Sequence, residues 1–226
     1  LMRYGVGDIT HSSGHHDHFN QWMWQRLLWA PRTTVENVVD EYCKTWFGPD
    51  AAPHMAGAIF QLEENLEEIP GMPLPEKEGV LNYYELTKKA GEAMPGLWME
   101  NNWLWRMYMQ KGALDRYVQL AVIEQLKLEQ QVKDLVRESL ENRLADSSIE
   151  KAWDLVVGGT ELTPEMKELL NEASKLGVES NELFGVRNDG LYNLEHDFIG
   201  LGWTKRQLTR ALKAKGKKRN ELLAMI

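Results

Sequence analysis

Cysteine is nearly absent from this chain: Cys43 stands alone among 226 residues, which excludes an internal disulfide. It falls inside a helical pattern, where a free thiol reads as a small buried hydrophobe rather than a nucleophile. No apolar run approaches the ~18 residues of a membrane span. No basic segment leads into an apolar one at the start, so no signal peptide is read there. Phosphate-loop, nucleophile-elbow and H-E-x-x-H motifs are missing. Gly5-x-Gly7 and Gly200-x-Gly202 lack the third glycine of a dinucleotide fingerprint and carry nothing alone. The net charge of −8 argues against a general affinity for nucleic acid or anionic membranes.

Tryptophan and methionine are plentiful instead, nine and ten of them, in a chain that is 43% hydrophobic and 27% charged. The stretch at residues 3–30 organises the reading. Leu1 to Ile9 has the pattern of a strand, and Thr10 to His16 is a polar turn containing Ser12, Ser13 and Gly14. From Asp17 the period becomes helical through Phe19, Trp22, Met23, Arg26, Leu27 and Trp29. Asp17 is the expected N-cap, its carboxylate accepting orphan backbone N–H bonds. A lone strand cannot pair its own backbone, and the chain has few other strand patterns. The chain is therefore expected to be a fragment, and its localisation stays open.

Most of the remainder reads as helices. Thr33 and Glu36 form a capping box ahead of Val35, Val38, Val39, Tyr42 and Trp46, with Gly48-Pro49 as the stop. A second helix runs from Asp50 to Ile69, and its outer glutamates read as a solvated face. Pro70 to Pro75 is a linker. A helix over about 76–93 precedes the Pro95-Gly96 break. The segment 97–109, with Trp98, Trp103 and Trp105, reads mainly as bundle core, although its rings suit sugar faces. Gly112 marks a kink before a long amphipathic helix towards Leu144. Ser147 with Glu150 caps the next helix, and Thr163-Pro164-Glu165 starts one that closes at Gly177. Residues 178–202 have no sustained period, and Thr204 and Gln207 open a final helix. From Trp203 onward there are eight Lys or Arg against one Glu, a local +7 that leaves −15 elsewhere. Docking of this segment against the chain's own acidic surface is the preferred reading over a nucleic-acid contact.

The one dense set of ligand-type side chains is His11, His15, His16 and His18 with Asp8 and Asp17. Its spacing matches no standard zinc pattern. Metal binding, a carbohydrate-facing loop and a plain capped turn all remain open, and no metal or cofactor is assigned.

The strand ending near Tyr4-Gly5, the loop with Asp17 and Asn20, and the run Trp22 to Pro31 resemble the last strand, loop and helix of certain glycoside hydrolase barrels. So does the later passage from Val38 to Tyr42 and Trp46-Phe47-Gly48-Pro49. The families meant are relatives of the alpha-glucuronidases and hexosaminidases that carry an all-helical C-terminal region. Their loops more often read Asp-Asp-x-Asn, where this chain has His15-His16-Asp17-His18-Phe19-Asn20. The helical periods give a mainly α fold, a bundle or array of about seven or eight helices after one strand, and the resemblance implies that this strand is left from a (β/α)8 barrel. Residues 1–30 would be the barrel end and 31–226 the C-terminal helical domain. The histidine loop would lie on the face where barrels keep their active sites. Asp8, His11, His16, Asp17 and Trp22 would then touch the sugar. The catalytic carboxylates would sit on strands outside this chain, so no catalytic residue is assigned. The implied partners are carbohydrate, through the parent barrel, and a second copy in a homodimer, with neither nucleic acid nor membrane. The rival reading is a non-catalytic helical scaffold or protein-interaction domain, and a third is a metal-dependent enzyme using the histidine turn.

Overall fold

Apolar residues at helical spacing, punctuated by Gly and Pro, give a mainly α array. The computed structural model describes residues 17–66, 77–142, 145–185 and 201–226, and every regular element among them is a helix. The expected strand over 1–9 and the linker over 70–75 lie outside the described residues. The helices are α1 (His18–Trp29), α2 (Val35–Phe47), α3 (Ala52–Leu66), α4 (Glu78–Ala93), α5 (Gly96–Glu100), α6 (Trp103–Asn142), α7 (Ala145–Gly158), α8 (Pro164–Phe184), α9 (Gly202–Lys213) and α10 (Gly216–Leu223). Ten exceed the seven or eight expected because two breaks were hidden in the sequence. One is at Asn101-Asn102, between α5 and α6, and the other is at Ala214-Lys215, between α9 and α10, just ahead of Gly216 with its φ of +57°.

Several boundaries follow local chemistry. Thr34, one residue beyond the expected Thr33, caps α2 by accepting from the Asn37 N–H at 3.3 Å. Glu36 bonds to its own backbone and to the Thr34 side chain, which lowers its carboxyl pKa. Gly48 ends α2 with φ +86° and ψ 163°, a conformation reserved for glycine. A Cβ there would also stand 2.8 Å from the Trp98 ring, so backbone and packing both require its absence. At the start of α8, Pro164 is the first helical residue and the Thr163 hydroxyl accepts from the Met166 N–H at 3.2 Å.

Other expectations gave way to packing. Helix α6 passes through Gly112 without interruption. A Cβ at Gly112 would come within 3.3 Å of the Tyr84 Cα, so this glycine serves the close approach of α4 rather than a kink. Helix α7 starts at Ala145, ahead of Ser147, and α8 runs past Gly177 to Phe184. The end of α8 is held from α6: Arg106 Nη1 meets Glu179 Oε2 at 2.7 Å, and Gln110 Nε2 donates to the Ala173 carbonyl at 3.1 Å. These bonds, with Leu176 and Ser180 buried, offset the roughly 1 kcal/mol that a mid-helix glycine costs.

The chain divides into two compact units. One gathers α1 to α5, α6 to Ala113 and α8 from Ala173; the other gathers α6 from Leu114, α7, α8 to Glu172, α9 and α10. The first has a core of Val39, Tyr42, Cys43, Phe47, Met55, Tyr83, Leu104 and Met109, among others. The second is built on Val132, Val136, Ile149, Ala152, Leu208 and Leu223. There the Trp153 indole N–H donates to Thr209 Oγ1 at 3.1 Å, tying α7 to α9.

Candidate functional site: an aromatic box at the head of α1

Of the residues singled out as sugar contacts, Asp8, His11 and His16 lie outside the described residues. Asp17 stands at the N-cap of α1 but makes no capping bond with its side chain. Its ψ of 6° is the physical reason: a capping side chain reaches back over the first turn from an extended backbone, which Asp17 does not adopt. Trp22 is half-buried and packs against the first unit's core, whereas Trp24, two residues on, is 41% exposed.

The structure gathers around Trp22 a set of rings that the sequence dispersed. His18 Nδ1 lies 3.1 Å from the Tyr42 hydroxyl. The imidazole meets Trp46 edge-on at a centroid distance of 4.9 Å and Trp103 at 5.6 Å. Trp22 stands 5.8 Å from Tyr42 and 6.3 Å from Trp46, also edge to face. Phe19 closes on Tyr42 at 5.1 Å. These geometries suit the quadrupoles of the rings, so the box is a cohesive wall and not an accidental collection. It forms because His18, Phe19 and Trp22 share one stripe of α1, while Tyr42 and Trp46 are one turn apart on α2.

The box has a distinct polar character. Burial lowers the His18 pKa, which favours the neutral imidazole. Burial also pushes up the Tyr42 and Tyr108 phenols, whose side chains hydrogen-bond one another, Tyr108 to about 12. The Nε1 donors of Trp22 and Trp46 are buried, and among the described residues neither has an acceptor. An orphan donor of this kind costs about 1–3 kcal/mol, so two of them in one box leave its packing with hydrogen-bonding capacity unmet. By contrast, the indole N–H of Trp105 donates to the Thr87 carbonyl at 2.9 Å, which makes that ring a core residue.

The family described as a domain of unknown function (DUF4838) matches residues 3–59. That segment takes in the histidine-rich sequence before α1, then α1, α2 and the start of α3, about a quarter of the chain, and includes every box residue except Trp103. No curated protein and no solved structure matches the chain.

The box rings offer aromatic faces, two N–H donors and an imidazole whose pKa burial lowers. Among the described residues no group of His, Cys, Asp and Glu could hold a metal ion. No described helix is long and apolar enough to cross a membrane. Cys43, beside the box on α2, is fully buried, and burial together with nearby Asp40 pushes its thiol up to about 12. Sequence reasoning singled out Trp22, put Trp46 on the apolar face of α2 with Tyr42 and read Trp103 mainly as core; both rings do pack against the first core, and what went unseen was their meeting with His18. The available signal was the Tyr42–Trp46 spacing of four residues, which puts both rings on one face of α2.

Proposed function

We propose that this chain is the helical C-terminal part of a glycoside hydrolase-like protein, bracing a preceding barrel and contributing one wall of a carbohydrate site. The observation that carries the reading is the box around His18, with its buried indole donors on Trp22 and Trp46. Sugars present C–H faces that lie against aromatic rings, and hydroxyl oxygens that accept N–H bonds. The family match over residues 3–59 spans the segment that resembles the barrel end together with α1 and α2. The bracing role is supported by the outer side of α1, which has no buried residue and leaves Trp29 86% exposed.

Neither a catalytic residue nor a cofactor belongs to the reading, because the carboxylates that cleave glycosides would come from the barrel strands. The test is a titration of the full chain with a panel of neutral and acidic oligosaccharides, followed by the indole N–H resonances of Trp22 and Trp46. Binding should shift both resonances selectively, and Trp46→Phe should weaken it about tenfold, the equivalent of one neutral hydrogen bond. Indole resonances that ignore every sugar in the panel would favour the scaffold reading. That alternative draws on the same exposed Trp29, together with Leu97 at 78% exposure, as contacts for another protein.

A further inference from the structure

Eight cations and one acid lie from Trp203 onward, in the last two helices and their connection, and in the sequence their natural counterpart is the chain's own acidic surface. Lys217 reaches Glu221 on its own helix at 3.9 Å. Among the described residues, no acid pairs with Arg206, Arg210, Lys213 or Lys218, and all four are exposed. Helix α9 instead buries Thr204, Gln207, Leu208 and Ala211, which leaves Arg206, Arg210 and Lys213 at i, i+4 and i+7 along its solvent face. The three span about 10 Å of helix axis. At the end of α9 the stripe enters a groove of about 500 Å³ lined by Arg210, Lys213, Ala214, Lys218 and Leu222. At the other end stands Trp203, 44% exposed.

We propose that this face of α9 and its groove with α10 bind a single strand of nucleic acid, with phosphates along the cationic stripe and a base stacked on Trp203. A row of cations leading from an exposed aromatic ring into a groove is the arrangement that tracks a single-stranded backbone. One small anion would engage the groove and leave the upstream arginine without a role. A duplex, its bases already stacked, would have no use for Trp203. The net charge of −8 does not forbid a local contact, because exposed charges are screened beyond about 8 Å at physiological ionic strength. The site uses none of the residues of the aromatic box.

Fluorescence anisotropy of the full chain with a labelled oligo-deoxythymidine and an oligo-uridine tests this. Binding should weaken with salt, with a slope of log affinity on log salt of about −2 to −3, as three or four phosphate contacts on a single strand require. Arg206→Glu with Arg210→Glu should lower affinity at least tenfold. Trp203→Ala should lower it about fivefold or more. All three changes are at exposed positions, so circular dichroism should be unaltered. The proposal is overturned by an absence of binding at low salt, or by affinity retained in the double variant. Equal binding of poly-glutamate of matched charge also overturns it. So does self-association in sedimentation that the double variant abolishes, since the occupant would then be the acidic surface of a second copy.

Discussion

His18 sits where a charge is least welcome, half-buried with Trp46 and Trp103 edge-on to its ring. Its pKa is lowered by burial, so below the ordinary value near 6.5 the unfolded chain takes up a proton that the folded chain resists. The stability contributed by the neutral imidazole is therefore complete above about pH 6.5 and is lost as pH falls through the folded-state pKa. Urea denaturation at a series of pH values should show the native chain weakening over that interval. His18→Gln should flatten that part of the profile, and an unchanged slope would count against the burial argument. Residues of this kind were only partly legible in the sequence. Cys43 could be assigned to the core because a small thiol on an apolar helical face has few other fates. His18 was grouped with the ligand-type side chains around it, although it follows the expected cap Asp17, since nothing local shows that its ring faces α2.

At the scale of elements, Asn102 does two jobs that no periodicity announces. Its Oδ1 accepts from the Trp105 N–H at 2.9 Å, capping α6, while its Nδ2 donates to the Trp46 carbonyl at 2.6 Å, near the end of α2. Asn102→Ala removes the cap, worth about 1 kcal/mol, and leaves a carbonyl short of a partner at about 1–3 kcal/mol more. Chemical denaturation should register a loss of about 2–4 kcal/mol, and Asn102→Ser should recover about 1 kcal/mol by restoring the cap alone. Equal losses in the two variants would assign the whole effect to the bond with Trp46. Stops and starts such as Gly48-Pro49 and Thr163-Pro164 were readable because their chemistry is confined to a few neighbouring residues. Gly112 and Gly177 were misread as a kink and a stop because packing across helices decides what a glycine does.

On the scale of the whole molecule, two separate cores imply two levels of protection. Leu208 is fully buried in the second core, and Leu208→Ala should cost about 2–5 kcal/mol. Amide hydrogen exchange should then speed up in α7, α9 and α10 while α2, α3 and α4 keep their protection, as expected of distinct cooperative units. A uniform acceleration across all ten helices would show that the chain opens as one. The candidate site was half legible on this scale. Its helices and Trp22 were in view, but the meeting of His18 with Trp46 and Trp103 depends on which faces of α1, α2 and α6 come together. Cys43 has a further use here. As the chain's sole thiol, fully buried and pushed up to about 12, it is shielded from alkylating reagents while the first core is closed. Its labelling rate is thus a clock for the opening of that core alone, already present in the native sequence and needing no engineered probe.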